Sequence, residues 1–448
     1  MKKYFLLAVL FLCHSLFAQT IIQRDAAIET MVNEVSADSL KSYVLQMVSY
    51  GTRNTLSSTT HKTRGIGAAR NWVLRKFNDI GKQSNGRLTA FIDTTTYRAD
   101  GRRVDRPINL GNVMATLKGT DPNDNRIFII SGHLDNMRGS PTDSVGDAPG
   151  ANDDASGVAA VLECARIMSK RSFPATIIFV AMSGEEQGLL GATYMAAKAR
   201  KENWNIEAVL NNDIMGSNNS NETNIIDNTK IRVFSEAFSV ADTGRRALTI
   251  RQLGLENDGR ARQLARYVKE VGERYVDNLQ VVMIYRNDRF LRGGDHTPFV
   301  QNGYAAIRFS EMNENYNHQH QNVRLENGIQ YGDLPEFMDF ELLRKNTAMN
   351  LANLANLAKS PSMPDSVKIE VRRLSNTSFL TWQAPKVGKV KGYYVLIRET
   401  TSATWQKKIF TTDLEMRLPY SKDNYFFAVQ SVSSDGNEGL PVLPSVGR

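Results

Sequence analysis

Residues 126–135 read RIFIISGHLD, and residues 175–191 read ATIIFVAMSGEEQGLLG. Each is a run of branched and aromatic side chains that stops at a small residue and hands over to polar ones. Within 127–130 and 177–180 no polar residue alternates with the apolar ones, so both faces of each strand are buried. Such strands sit in the middle of a sheet covered by helices on both sides. The polar residues behind them fall where open α/β sheets build ligand sites, outside the carboxyl ends of the strands.

Further strands are expected at 112–117, 208–211, 231–234, 279–285 and 305–309. Apolar residues at helical spacing predict helices over 24–50, 65–80, 155–170, 187–200, 257–274 and 335–358. The expected fold is α/β, a mixed central sheet sandwiched by helices over residues 24–359. The run Lys-Ser-Pro-Ser-Met-Pro at 359–364 breaks the pattern and reads as a linker. Over 365–448 helical periodicity gives way to short alternating strands with a turn signal every ten or so residues. That texture predicts a second, all-β sandwich domain with Trp382 in its core.

The chain has 448 residues, 41% hydrophobic and 23% charged, which suits a packed globular protein and excludes wholesale disorder. Lys+Arg is 55 against Asp+Glu 47, a mild excess of +8. The basic residues are scattered apart from Arg98, Arg102, Arg103 and Arg106. With no dense basic stripe and no nucleic-acid module, nucleic acid is not an expected partner. The arginine cluster reads as a solvated loop, or as a contact for an acidic partner. Lys2 and Lys3, an apolar run over 4–12 and Ala18 read as a secretory signal peptide over residues 1–18, for export to the periplasm or beyond. That run is too short to span a membrane. With Cys13 removed, Cys164 stands alone and reads as a small buried hydrophobe.

Five polar clusters carry the chemistry. His133 and Asp135 follow the first strand; His-x-Asp lets a carboxylate fix the imidazole tautomer while the other nitrogen binds a metal. Asp153 and Asp154, in Pro-Gly-Ala-Asn-Asp-Asp-Ala-Ser-Gly, serve either as a helix cap or as a rigid bridge between cations. Glu185 and Glu186 close the second strand, where paired carboxylates are costly without positive charge. They are either a solvated helix start or a metal ligand beside a proton carrier. Asp213 lies in Asn-Asn-Asp-Ile-Met-Gly, which alone reads as a turn. His318 and His320 form the last cluster, otherwise a surface pair. Carboxylates mixed with imidazoles suit Zn²⁺, and a shared carboxylate suits two ions.

The motifs G-H-x-D, P-G-A-N-D-D-A-S-G and S-G-E-E-x-G-L-L-G together resemble the zinc exopeptidases of peptidase family M28, the bacterial leucyl aminopeptidase type. The fold that this implies is the zinc-exopeptidase, phosphorylase/hydrolase-like sandwich. Carried over by residue, the resemblance implies two Zn²⁺ ions bridged by Asp153. His133 and Asp213 complete one ion, Glu186 and His320 the other. Glu185 would be the general base, and Asp135 would orient His133. The bond before Asp154 would be cis. The match departs from the family pattern in two places: Ile214 and Met215 are swapped, and His320 is followed by Gln321 and Asn322 rather than Thr and Asp. The resemblance favours His320 over His318 as ligand and makes His296 structural. The C-terminal segment resembles a fibronectin type III module, with Trp382 as core tryptophan and Tyr425 as corner tyrosine.

The resemblance implies an aminopeptidase acting on peptide substrates. The rivals are a glutaminyl-cyclase-like enzyme, a carboxypeptidase on the same fold, and a non-catalytic binding protein. The cyclase type uses one zinc, and His133 together with Asp213 argues against it. Inert relatives lose ligands or the base, and none is missing here. The C-terminal module either packs against the catalytic domain or tethers it to a polymer or surface.

Overall fold

The computed structural model describes residues 22–372 and 374–447. The expected signal peptide, with Cys13, lies outside them. Eight strands build one sheet: β1 (Leu88–Tyr97), β2 (Ile108–Leu117), β3 (Arg126–His133), β4 (Thr176–Met182), β5 (Asn205–Asn212), β6 (Lys230–Phe234), β7 (Gln280–Ile284) and β8 (Ala306–Glu311). Their order is β1-β2-β4-β3-β5-β8-β6-β7. The central four, β4, β3, β5 and β8, run parallel. β2 joins β4, and β6 joins β8, antiparallel, so the sheet is mixed.

Nine α-helices are described: α1 (Ala26–Asn33), α2 (Ala37–Val48), α3 (Ile66–Gly81), α4 (Ala155–Met168), α5 (Leu190–Lys201), α6 (Gly244–Leu253), α7 (Arg260–Tyr275), α8 (His296–Gln301) and α9 (Phe340–Lys359). α4 lies against β3, β4 and β5 under α2 and α9, while α5 and α8 cover the opposite face. α4 is buried on nearly every side, Cys164 included, because it is the middle of that stack. No helix of the described residues is long and apolar enough to cross a membrane.

The apolar runs fall in the central strands, as expected. The edges differ. The helical run over 24–50 is two helices, because Asp25 caps α1 and Ser36 caps α2 by accepting the N–H groups of Ala27 and Ser39. β1 was not anticipated: its alternation is carried by threonines on a half-exposed edge strand. The expected helix at 187 begins only at Leu190, because residues 183–189 form a loop. α6 and the hairpin β9 (Arg324–Glu326) and β10 (Ile329–Tyr331) are also additions.

The C-terminal segment holds β11 (Asp365–Glu370), β12 (Ser378–Gln383), β13 (Gly392–Glu399), β14 (Lys407–Thr411), β15 (Glu415–Leu418), β16 (Tyr425–Val432) and β17 (Ser445–Gly447). They form two sheets, β15-β12-β11-β17 and β14-β13-β16. Val367, Leu380, Trp382, Val395 and Val429 share one core between them. β13 is buried on both faces. Its second face explains how the module sits: Tyr394 and Leu396 form a separate apolar cluster on the side toward α7. Around them a buried polar network crosses the boundary. Glu438 takes two bonds of 2.9 Å from Arg274 and one of 3.0 Å from Lys408. Asp258 pairs with both Arg266 and Arg398. Through these contacts the module packs against the catalytic domain.

Candidate active site

The site is built at the carboxyl ends of β3, β4 and β5. His133 is the last residue of β3, and backbone packing there is too close for a side chain on its neighbour. A Cβ at Gly132 would stand 2.5 Å from the carbonyl carbon of Gly157, and one at Gly157 would meet Asn212 O at 2.5 Å. Glycine at both positions lets β3, β5 and the start of α4 converge.

The two aspartates of the second cluster divide the readings that the sequence left open. Asp154 is the cap: its carboxylate accepts from Gly157 N at 2.9 Å and His133 N at 2.8 Å, and from Ile214 N at 3.3 Å. It thereby joins three of the five clusters. Asp153 points the other way. Its Oδ1 lies 3.0 Å from His133 Nε2 and its Oδ2 2.9 Å from His320 Nε2. The Asp153–Asp154 peptide bond is cis.

Asp213 Oδ1 stands 3.6 Å from His133 Nε2, and Glu186 Oε1 stands 3.0 Å from His320 Nε2. Two triads result, His133/Asp153/Asp213 and Asp153/Glu186/His320, each with ligand atoms within 4.8 Å of one another. Glu186 Oε1 is buried and makes no well-aligned hydrogen bond; its near polar neighbour is the ring nitrogen of His320. Buried carboxylate oxygens and imidazole nitrogens converging in this way are what a cation would satisfy. Burial disfavours the charged His320, but Glu186 and Asp153 outweigh it and push the imidazole up to about 11.

Asp135 meets the His133 ring through its backbone carbonyl, 3.0 Å from Nδ1; its carboxylate oxygen is 3.9 Å away. That carboxylate is occupied elsewhere, accepting the N–H groups of Gly184 (2.8 Å), Glu185 (3.2 Å) and Glu186 (3.1 Å). Asp135 therefore holds the loop of the third cluster as well as the ring of the first. Glu185 is half-buried beside the triads. Burial, then the carboxylates of Glu186, Asp213 and Asp295, pushes its carboxyl well above the ordinary range against the pull of His133.

His318 stays out of the triads: its ring stacks on Phe337 at 3.7 Å between centroids. His320 reaches them from a left-handed backbone, φ 52°, with its carbonyl held by Gly139 N at 2.7 Å. His296 is buried with Nε2 2.7 Å from Asn287 O and joins neither triad.

Several residues around the site had no sequence signal. Arg308 bridges Asp213 and Asp288. Asp333 accepts the N–H groups of Asn152 (2.8 Å) and Asp153 (2.7 Å). Arg53 ties the carbonyls of Leu134, Pro149 and Gly150 together. Asp295 is buried with neither carboxylate oxygen hydrogen-bonded, and burial lifts its carboxyl to about 7. Arg308, Asp333 and Arg53 are lone charged residues far along the chain from their partners. Asp295 stands out in the sequence only as the neighbour of His296.

Residues 112–339 match the family model for peptidase family M28. A probable zinc metalloprotease of Leptosphaeria maculans is 41% identical over 424 residues, covering 94% of this chain and 98% of that protein. Another, from Pyrenophora teres f. teres, is 40% identical over 425 residues, covering 94% and 87%. Among solved structures, the LapA aminopeptidase of Legionella pneumophila aligns with a TM-score of 0.54 at 20% identity over 76% of each chain. LapB of the same organism aligns with a TM-score of 0.53 at 17% identity over 75% of this chain and 76% of that one. At such identities the structural likeness is one of fold.

Proposed function

The chain belongs to peptidase family M28, and from that premise we propose that it is an exported di-zinc aminopeptidase hydrolysing N-terminal peptide bonds. The observation that carries this reading is Asp153, whose two oxygens lie 3.0 and 2.9 Å from histidines of two different triads. The donor set of one imidazole and two carboxylates per triad fits zinc with a position left open for water or substrate. His133, Asp153 and Asp213 would hold one ion, and Asp153, Glu186 and His320 the other. When bound, the ions supply Lewis-acid polarisation of the scissile carbonyl and make water a nucleophile near neutral pH.

The remaining work falls to the chain. Glu185 takes the proton from the attacking water and returns it to the leaving amine. Asp135, through three backbone N–H groups, keeps Glu185 and Glu186 facing in. The Asp135 carbonyl accepts from Nδ1 of His133, which leaves Nε2 free as a ligand atom. Arg308 keeps Asp213 ionised in a buried setting. The C-terminal module, read as fibronectin type III-like, is held against the catalytic domain through Glu438 and Arg398.

The test is mass spectrometry of a defined peptide mixture, with free and acetylated N-termini, incubated with the zinc-loaded protein and its Glu185→Ala variant. Ladders shortened from free N-termini only, absent in the variant, are expected. Shortening from the C-terminus, or loss of ammonia from N-terminal glutamine, would replace the aminopeptidase reading with the carboxypeptidase or cyclase one. An unchanged mixture would leave the binding-protein reading.

A further inference from the structure

The connection between β1 and β2, residues 98–107, carries Arg98, Arg102, Arg103 and Arg106. β2 runs antiparallel to β4, with Val113 opposite Ala181. The connection therefore rises from the sheet edge that also carries the loop 183–189. Asp100 shapes it, one oxygen accepting the N–H groups of Arg102 (2.8 Å), Arg103 (3.0 Å) and Val104 (2.9 Å).

From there Arg103 reaches the site. Its Nε donates to the carbonyl of Glu186 at 2.7 Å, and its Nη2 lies 3.7 Å from Met137 Sδ. Met137 follows β3 and Glu186 follows β4, so the guanidinium spans the rim above the two strands that end in the site. Neighbouring arginines are neutralised: Arg106 by Asp105 and Arg138 by Asp143. Arg103 is exposed, and among the described residues its guanidinium bonds only a carbonyl and a thioether. A guanidinium fixed by Nε keeps its other edge for a planar, bidentate acceptor.

The Glu186 backbone that anchors Arg103 belongs to the residue whose side chain enters the second triad. An extended peptide advances about 3.5 Å per residue. Because Arg103 bonds the backbone of a triad residue, it lies within reach of a peptide that sets its first carbonyl at the triads and extends toward this rim for a residue or two.

We propose that Arg103 is a specificity residue that receives a carboxylate of the peptide one or two residues beyond the scissile bond. The proposal rests on the peptidase reading above. The carboxylate is either the C-terminus of a short peptide or an acidic side chain.

The test uses the zinc-loaded full chain. One arm compares dipeptides as free acids and as C-terminal amides; the other compares aspartyl-amide with asparaginyl-amide at the second position. Wild type should favour the carboxylate form in at least one arm by about tenfold in KM, the scale of one partly exposed charge-assisted contact. That preference should fall as salt rises. It should collapse toward unity in Arg103→Gln and return in part in Arg103→Lys. The first arm reports a C-terminal carboxylate, the second a side chain. Damage to the Glu186 loop would slow both members of a pair alike and leave the ratio, so a variant that is merely slow retains the wild-type preference and overturns the proposal. A wild type without preference in either arm overturns it too, while the peptidase reading stands because the amides are cut. If wild type cuts neither form, the peptidase reading falls and takes the proposal with it.

Discussion

Arg308 stands with Nη2 3.0 Å from Oδ1 of Asp213, a buried guanidinium against a buried carboxylate. Its Nη1 meets both oxygens of Asp288, at 2.8 and 2.7 Å. Burial alone would raise the Asp213 carboxyl; Arg308 and then His133 hold it down at about 2. Arg308→Met would strand two carboxylates in the interior. A loss of about 3–5 kcal/mol is expected, measured as a lower urea midpoint of the metal-free protein. A loss below about 1 kcal/mol, the scale of a surface pair, would show that the guanidinium is not the counter-charge.

Asp135→Asn conserves shape but removes the charge that gathers Gly184, Glu185 and Glu186. Turnover or metal affinity should fall about 10- to 100-fold, the usual cost of losing a residue that orients ligands. The far-ultraviolet spectrum should not change. Wild-type kinetics in the variant would mean that the loop keeps its place without Asp135.

The two histidines of the last cluster should part company. His320→Ala should reduce bound zinc from two ions per chain to one, measured by atomic emission on dialysed protein. His318→Ala loses its stack on Phe337, worth about 1 kcal/mol of stability, and should keep both ions. The reverse pattern would transfer the ligand role to His318.

The domain boundary sets an acid limit. Burial would raise the Glu438 carboxyl, yet Lys408 and Arg274 hold it at about 2 in the folded chain. Unfolded glutamate titrates near ~4.3, so the folded state binds fewer protons between those values. The stability it contributes is present above about pH 4.3 and is lost as the pH falls toward about 2. Glu438→Gln should be less stable than wild type by about 3 kcal/mol near neutral pH. Denaturation curves of the two proteins should converge as the pH falls below about 4. A constant gap across that window would contradict the assignment.

Much of this architecture was written in local pattern. Buried parallel strands need continuous apolar runs, so β3 and β4 could be read directly, and their ends located His133, Glu185 and Glu186. The motif glycines follow from backbone crowding at Gly132 and Gly157. What could not be read is what depends on distance in sequence. Arg308 and Asp288 are 20 residues apart and look like surface charges until the fold buries them together. β1 hid behind threonines because an edge strand has only one face to bury. The role of Asp135 was split between its carbonyl and its carboxylate, a division that side-chain type alone does not reveal.

The central claim is that one carboxylate, Asp153, holds two ions. Anomalous scattering at the zinc edge from crystals of the zinc-loaded protein tests it most directly. The account predicts two peaks about 3.5–4 Å apart, one on each side of Asp153, with His133 and Asp213 at one and Glu186 and His320 at the other. A single peak, or two peaks that do not share Asp153, would contradict it.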